Sequence, residues 1–296
     1  MPVHLGGILA PVVTPFASDR LDLGAFAANL ERYGETALAG VVVLGSNGEA
    51  ALLTDAESDA VLGAARAALP AGRTFVAGTG RESTPATIAA CRRAADAGAD
   101  AVLVRTPSFF KARMTAEVFV RHYEAVADAS PVPVLLYNVT MFTGVVLPGE
   151  AVGALARHQN VIGLKDSGSD LAIVADFIAR GGDGFTVLSG SAPTLYPSLC
   201  LGAKGAVLAV AGVVPDLCAQ IHALVERGAH ADALALQRRL APLAQAVGSR
   251  FGVPGLKAAL DMAGYTGGDP RGPLLPASAE ARAAIRAELD ALGVLA

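Results

Sequence analysis

Residues 161–167 read Val161-Ile162-Gly163-Leu164-Lys165-Asp166-Ser167. An apolar run with no polar alternation suits a strand buried on both faces, and such strands belong to parallel sheets covered by helices. Here the run stops abruptly on a lysine, an acid and a serine. The same character predicts strands over residues 7–13, 40–44, 74–78, 100–105, 132–139, 185–189 and 205–210, eight in all.

Helical periodicity fills the intervals, with start signals in place. Thr54-Asp55-Ala56-Glu57 reads as a capping box opening a helix that Pro70 stops. Ser83-Thr84-Pro85 opens a second helix, ended by Gly98, and Thr115 opens a third that runs to about residue 129. Strand and helix alternating in this way imply right-handed parallel crossovers, and eight such units close into a (β/α)8 TIM barrel. An open doubly wound sheet uses the same local pattern and is the alternative architecture. Beyond the eighth unit strand signals cease, and helices are predicted over 231–247, 254–262 and 279–292. Residues 1–229 are therefore expected to form a catalytic barrel and residues 230–296 a C-terminal helical extension.

Composition narrows the function. The chain has 296 residues, 53% hydrophobic and 17% charged, with a mean hydropathy of +0.47, which excludes a disordered protein. The net charge of −4 comes without a basic stripe, so no nucleic-acid partner is expected. The longest apolar stretch, Ala206 to Val214, is about half of a bilayer span, so no membrane partner is expected either. Met1-Pro2-Val3-His4-Leu5-Gly6-Gly7 shows no export signal, and Cys91, Cys200 and Cys218 follow neither disulfide nor zinc spacing. They are expected to be buried in a reducing compartment, and the expected location is cytoplasmic.

A barrel of this kind carries its chemistry at the C-terminal ends of its strands. Lys165 is the informative residue there, because the chain has only four lysines among 23 basic side chains. A sequence that prefers arginine for charge is expected to keep lysine where a neutral amine must attack a carbonyl. Lysines are almost wholly protonated in water at pH 7, and a dry barrel mouth shifts such amines toward the nucleophilic form. The alternative is an ion pair of Lys165 with Asp166. Tyr137 ends the fifth run and could relay protons, or it could be a core tyrosine with its hydroxyl at the surface. Gly45-Ser46-Asn47-Gly48-Glu49 could hold a carboxylate on its N–H groups, or it could be a tight turn capped by Ser46 and Glu49. Gly78-Thr79-Gly80 lacks the third glycine and the distal acid of a dinucleotide site. The five histidines are scattered, so no metal site is expected. Arg105 is expected to pair with a surface acid, and Lys204 to be solvated.

Taken together, the glycine loop, Tyr137-Asn138-Val139 with Thr143-Gly144, and Gly163-Leu164-Lys165-Asp166-Ser167 resemble the dihydrodipicolinate synthase / N-acetylneuraminate lyase family of pyruvate-dependent class I aldolases. The likeness runs in order along nearly the whole chain. Within that family the chain is most similar to 4-hydroxy-2-oxoglutarate aldolase. It shares with that enzyme the Ser46-Asn47 loop, Glu82-Ser83-Thr84, Gly190-Ser191-Ala192 and Pro254-Gly255-Leu256-Lys257. The resemblance implies that Lys165 forms the Schiff base and Tyr137 relays protons. It places Ser46, Asn47 and Gly190 around the carboxylate and imine of a 2-oxo acid, Ser167 facing it, and Val207 as an apolar wall. It implies no cofactor, and a homotetramer built as a dimer of dimers.

Two departures bear on substrate and relay. Ser108-Phe109-Phe110 stands where the family carries an aromatic pair ending in a relay tyrosine, so water, Ser46 or another group must take that part. Phe142 stands where dihydrodipicolinate synthases carry a carboxylate-binding arginine, and a phenyl ring cannot replace that contact. The expected reaction is reversible cleavage of a 4-hydroxy-2-oxo acid, 4-hydroxy-2-oxoglutarate first, to pyruvate and an aldehyde, glyoxylate in that case. Dihydrodipicolinate synthase, a sugar-acid aldolase or dehydratase, a keto-acid-binding protein and a phosphate-binding isomerase are the alternatives.

Overall fold

The computed structural model describes residue 3 and residues 5–295; Met1, Pro2, His4 and Ala296 lie outside the described residues, so the N-terminal export-signal reading and His4 fall partly or wholly there. Eight parallel strands form a closed barrel: β1 (Gly7–Pro11), β2 (Gly40–Val43), β3 (Thr74–Gly78), β4 (Ala101–Arg105), β5 (Val134–Asn138), β6 (Val161–Asp166), β7 (Thr186–Ser189) and β8 (Gly205–Val207). β1 pairs with β2 at Leu9↔Gly40 and with β8 at Gly7↔Gly205. That double pairing leaves no sheet edge and removes the open-sheet alternative.

The continuous apolar runs have a direct cause. Leu103, Leu135 and Tyr137 fall in a cluster made almost entirely of strand residues, which fills the barrel interior. The residues between them, Val102, Val104, Val134 and Leu136, pack outward with Phe119, Tyr123 and Phe177 of the helices. Both faces of each strand are dry, so a polar side chain is costly until the strand ends.

Thr54 and Glu57 form the expected capping box, each side chain accepting from the other residue's backbone N–H, and the helix spans Asp55–Ala68. Ser83 caps Thr84–Asp96 and Thr115 caps Ala116–Ala129, each cap worth about 1 kcal/mol. The eighth strand is shorter than its apolar run suggests. After Val207 the chain turns into a 3-10 segment, Ala209–Gly212, that is itself buried, and hydrophobicity alone does not separate a strand from a buried turn. A small ribbon, Phe16–Ala17 with Arg20–Leu21, was not foreseen; Ser18 and Asp19 supply its left-handed turn. Cys91 and Cys218 are buried, whereas Cys200 is exposed at the end of a helix, contrary to expectation.

The C-terminal helices span His230–Gln245, Gly252–Met262 and Ala279–Leu292. The first runs on into a π turn, Ala246–Arg250. Leu240, Leu256 and Ile285 belong to the same hydrophobic cluster as the outer faces of the strands. Among the described residues, no helix is long and apolar enough to cross a membrane.

Candidate active site

Register decides which strand-end side chains meet. β5 and β6 pair at Tyr137↔Lys165, so the two side chains leave neighbouring strands at the same level. Lys165 Nζ donates to the Tyr137 hydroxyl at 3.2 Å. Two longer contacts converge on the same oxygen, from Ser167 Oγ at 3.5 Å and Ser46 Oγ at 3.5 Å. Burial pushes the Tyr137 phenol up, but the Lys165 charge and the hydrogen bonds from Ser167, Ser46 and Lys165 outweigh it, leaving the phenol below its ordinary 10.0.

Asp166 does not pair with Lys165. Its Oδ1 accepts from Asn138 Nδ2 at 2.7 Å, and Asn138 Oδ1 in turn accepts from the Leu147 N–H at 3.0 Å. Burial raises the Asp166 carboxyl above its usual range against the hydrogen bonds from Asn138 and Gly168. The strand-end acid is thus a structural tie to the β5 loop. The Tyr137 ring is packed in the barrel interior, and its hydroxyl meets Lys165, Ser167 and Ser46 there instead of lying at the surface.

Gly190 follows β7 and closes over this group. A Cβ there would lie 2.1 Å from Ser167 Oγ and 3.0 Å from Lys165 Cε, so a larger residue would displace the Ser167 hydroxyl. Val207 lies in the interior cluster with Tyr137, Leu9 and Leu188. Asn47 is half-buried in the glycine loop, and its side chain makes no hydrogen bond among the described residues.

The glycine loop itself is not capped by Ser46 and Glu49. Glu49 takes a left-handed backbone, φ 55°, and its side chain is buried against Lys257 at 2.5 Å. No local spacing signals that pairing; in the sequence Lys257 stands out only within the Pro254-Gly255-Leu256-Lys257 motif.

Ser46 and Tyr137 line a cavity of about 930 Å³ that also takes in Arg105, Phe142, Phe251 and Leu274. Lys165, Ser167, Asn47, Gly190 and Val207 are not on its wall; Lys165 is joined to it by the hydrogen bond to the lining residue Tyr137. Arg105 has the acidic partner expected of it, Glu82, at 2.7 Å. Glu82 also accepts from the backbone N–H groups of Ser108 and Phe109, both at 2.8 Å. Burial raises the Glu82 carboxyl, but these donors and Arg105 outweigh it and hold it below the usual range. Glu82 therefore fixes the loop bearing Phe109 and Phe110, a role with no local sequence signal beyond its place in Glu82-Ser83-Thr84. Phe251 and Leu274 come from the C-terminal segment, which the sequence reading had kept apart from the site.

The model of the dihydrodipicolinate synthetase family matches residues 4–292. A 4-hydroxy-tetrahydrodipicolinate synthase of Exiguobacterium is 34% identical over 285 residues, covering 96% of this chain and 97% of the relative. A probable mitochondrial 4-hydroxy-2-oxoglutarate aldolase of Emericella nidulans is 33% identical over 286 residues, covering 95% of this chain and 92% of the relative. Among solved structures, a dihydrodipicolinate synthase variant characterised as monomeric superposes with a TM-score of 0.93 at 28% identity, over 98% of each chain.

Proposed function

The chain belongs to the dihydrodipicolinate synthetase family, and from that premise we propose that it is a Schiff-base class I aldolase that reversibly cleaves a 4-hydroxy-2-oxo acid to pyruvate and an aldehyde. 4-Hydroxy-2-oxoglutarate, which would give glyoxylate, is the first substrate to test. One observation carries the reading: a buried lysine whose hydrogen-bond partner is a phenol of lowered pKa, at the C-terminal end of the barrel.

The steps follow from that contact. A phenol below its usual range is more readily a phenolate, and so can take a proton from Lys165 across 3.2 Å. The freed amine adds to the C2 ketone; the proton held by Tyr137 then leaves with the former ketone oxygen as water, which gives the iminium and returns Tyr137 to the phenolate. The iminium draws in the electron pair of the C3–C4 bond while Tyr137, with Ser46 or Ser167, accepts the C4 hydroxyl proton. The aldehyde leaves, the enamine takes a proton at C3, and water releases pyruvate and Lys165. Ser46 and Ser167 stand where the missing relay tyrosine would otherwise be needed; their long contacts to Tyr137 are of the kind that tightens when substrate binds. Asn47, Gly190 and Val207 complete the oxo-acid pocket in this reading.

Borohydride reduction with pyruvate, followed by peptide mapping, tests it. A reduced pyruvyl adduct on Lys165 is the expected result; a folded, unmodified protein would remove the mechanism.

The named synthase relatives favour a second reading, condensation of pyruvate with aspartate semialdehyde. Phe142 weighs against it, because it lines the cavity where a carboxylate-binding arginine would be needed. Phe142→Arg should raise activity toward a carboxylate-bearing aldehyde relative to glyoxylate. Strong synthase activity in the parent protein would refute the weight given to this position.

The proposed setting is the cytosol, which the free thiols of Cys91, Cys200 and Cys218 support. The proposed assembly is a homotetramer. Phe109 and Phe110 are 78% and 68% exposed, and Met141 and Phe142 63% and 62%, an apolar display that a second copy would cover. Sedimentation as a monomer at micromolar concentration would overturn the assembly without touching the chemistry.

A further inference from the structure

Lys257 projects from the Gly252–Met262 helix into a space where its side chain is 1% exposed. Its ammonium forms an ion pair with Glu49 Oε1 at 2.5 Å and donates to the Thr14 carbonyl at 2.8 Å and the Asp269 carbonyl at 2.7 Å. Each acceptor belongs to a different part of the site's frame. Thr14 lies in the loop after β1, and its own hydroxyl donates to the Gly48 carbonyl at 2.8 Å. Glu49 ends the glycine loop, and its second oxygen accepts from the Arg271 N–H at 2.8 Å. Asp269 lies in the C-terminal segment, whose Asp269 N–H donates to the Phe16 carbonyl at 3.0 Å. One ammonium therefore grips the Gly45–Glu49 loop twice, directly through Glu49 and indirectly through Thr14 and Gly48. That loop carries Ser46, whose hydroxyl lies 3.5 Å from the Tyr137 oxygen.

Resting on the aldolase reading, we propose that Lys257, paired with Glu49, is a positioning residue that sets Ser46 against Tyr137 for proton transfer. The left-handed Glu49 backbone agrees with this, because an unfavourable conformation persists only where surrounding contacts hold it. The contact at 3.5 Å is at the outer edge of a hydrogen bond, so a shift of the loop by a fraction of an ångström would break it. Lys257 touches no reacting atom. Its effect runs through the loop.

The readout should not depend on knowing the aldehyde. An enzyme that forms and protonates a pyruvate enamine exchanges the pyruvate methyl protons for deuterium in D2O, observable by NMR. Lys257→Met should slow this exchange roughly 10- to 100-fold at saturating pyruvate, the loss expected when a catalytic group is displaced by about 1 Å. Adduct formation on Lys165 should persist, and KM for pyruvate should change far less than the exchange rate. Because Lys257 acts through Ser46, Ser46→Ala/Lys257→Met should be no slower than the slower single variant. Effects that multiply, or full exchange per folded molecule in Lys257→Met, would overturn the proposal.

If Lys257→Met does not fold, Glu49→Gln/Lys257→Met removes both buried charges and should show the same slow exchange. Thr14→Val cuts only the hydroxyl bond to Gly48 and leaves the ion pair in place, so its exchange should fall far less than that of the charge variants. Slower exchange in a charge variant that is non-additive with Ser46→Ala supports the positioning role; unaltered exchange there, or a loss as large in Thr14→Val, refutes it. A wild-type protein that neither exchanges nor traps pyruvate would defeat the aldolase reading itself. A wild type that does both, beside variants of full activity, would defeat the positioning role alone.

Discussion

Two of the four lysines are buried, and the molecule treats them in opposite ways. Lys257 has a carboxylate and two carbonyls around its ammonium, one as an ion pair and two as hydrogen bonds. Among the described residues, Lys165 has no carboxylate within ion-pair distance; its hydrogen bond goes to a phenol, and Asp166 beside it is turned toward Asn138. Burial pulls the Lys257 ammonium down from its usual value while Glu49 opposes that pull, as suits a fixed structural cation. In the proposed mechanism the phenol beside Lys165 is its proton acceptor instead. Burial is common to both lysines, so the partner, and not the burial, is what sets the proposed nucleophile apart from the proposed anchor.

The sharpest way to break this contrast is Lys165→Ala. It should abolish turnover and pyruvate trapping while leaving thermal stability near wild type, and detectable turnover would sink the nucleophile assignment. Lys165→Arg should be equally dead, because a guanidinium keeps the charge but does not lose its proton in proteins. Tyr137→Phe comes next. Removing the hub hydroxyl should lower kcat by roughly 10²–10⁴ if the phenol is the acid and base. An unchanged kcat would return Tyr137 to the barrel core, where its ring is already packed.

The anchor should fail differently. Glu49→Gln leaves the Lys257 charge buried without its counter-ion, and breaking such a pair costs about 3–5 kcal/mol. Removing both charges, in Glu49→Gln/Lys257→Met, should recover much of that loss in urea unfolding. Equal destabilisation by the single and double variants would show that the carbonyl contacts, and not the pair, secure this region.

This contrast also marks what a sequence makes legible. The eight runs announce the barrel because both faces of each strand are apolar, and Thr54, Ser83 and Thr115 announce helix starts through bonds three residues long. Lys165 stands out because a strand end is a local fact. The anchor is different in kind. Thr14 and Lys257 are 243 residues apart and Glu49 and Arg271 are 222 apart, and no periodicity reports such pairs. Glu49 was open to a capping-box reading because its spacing from Ser46 fits one; only the positive φ of Glu49 and the Lys257 contact decide otherwise. The cavity wall supplied by Phe251 and Leu274 was hidden for the same reason.

A third buried base extends the contrast and gives the smallest effect. His122, on the Ala116–Ala129 helix, has Nδ1 2.9 Å from Thr84 Oγ1 and, among the described residues, no carboxylate in ion-pair contact. Burial lowers its pKa from 6.5 to about 4, against a weaker opposite pull from the Glu82 charge. The unfolded chain therefore binds a proton between pH 6.5 and about 4 that the folded protein refuses. Stability is fully present above pH 6.5 and falls as the pH drops toward 4, by at most about 1.4 kcal/mol per pH unit from this residue. His122→Leu, with no titrating ring, should flatten that acid limb in urea unfolding measured from pH 7 to pH 4.5. A limb as steep as in the wild type would mean that His122 is protonated in the fold, and that an acid partner beyond Thr84 holds its charge as Glu49 holds that of Lys257.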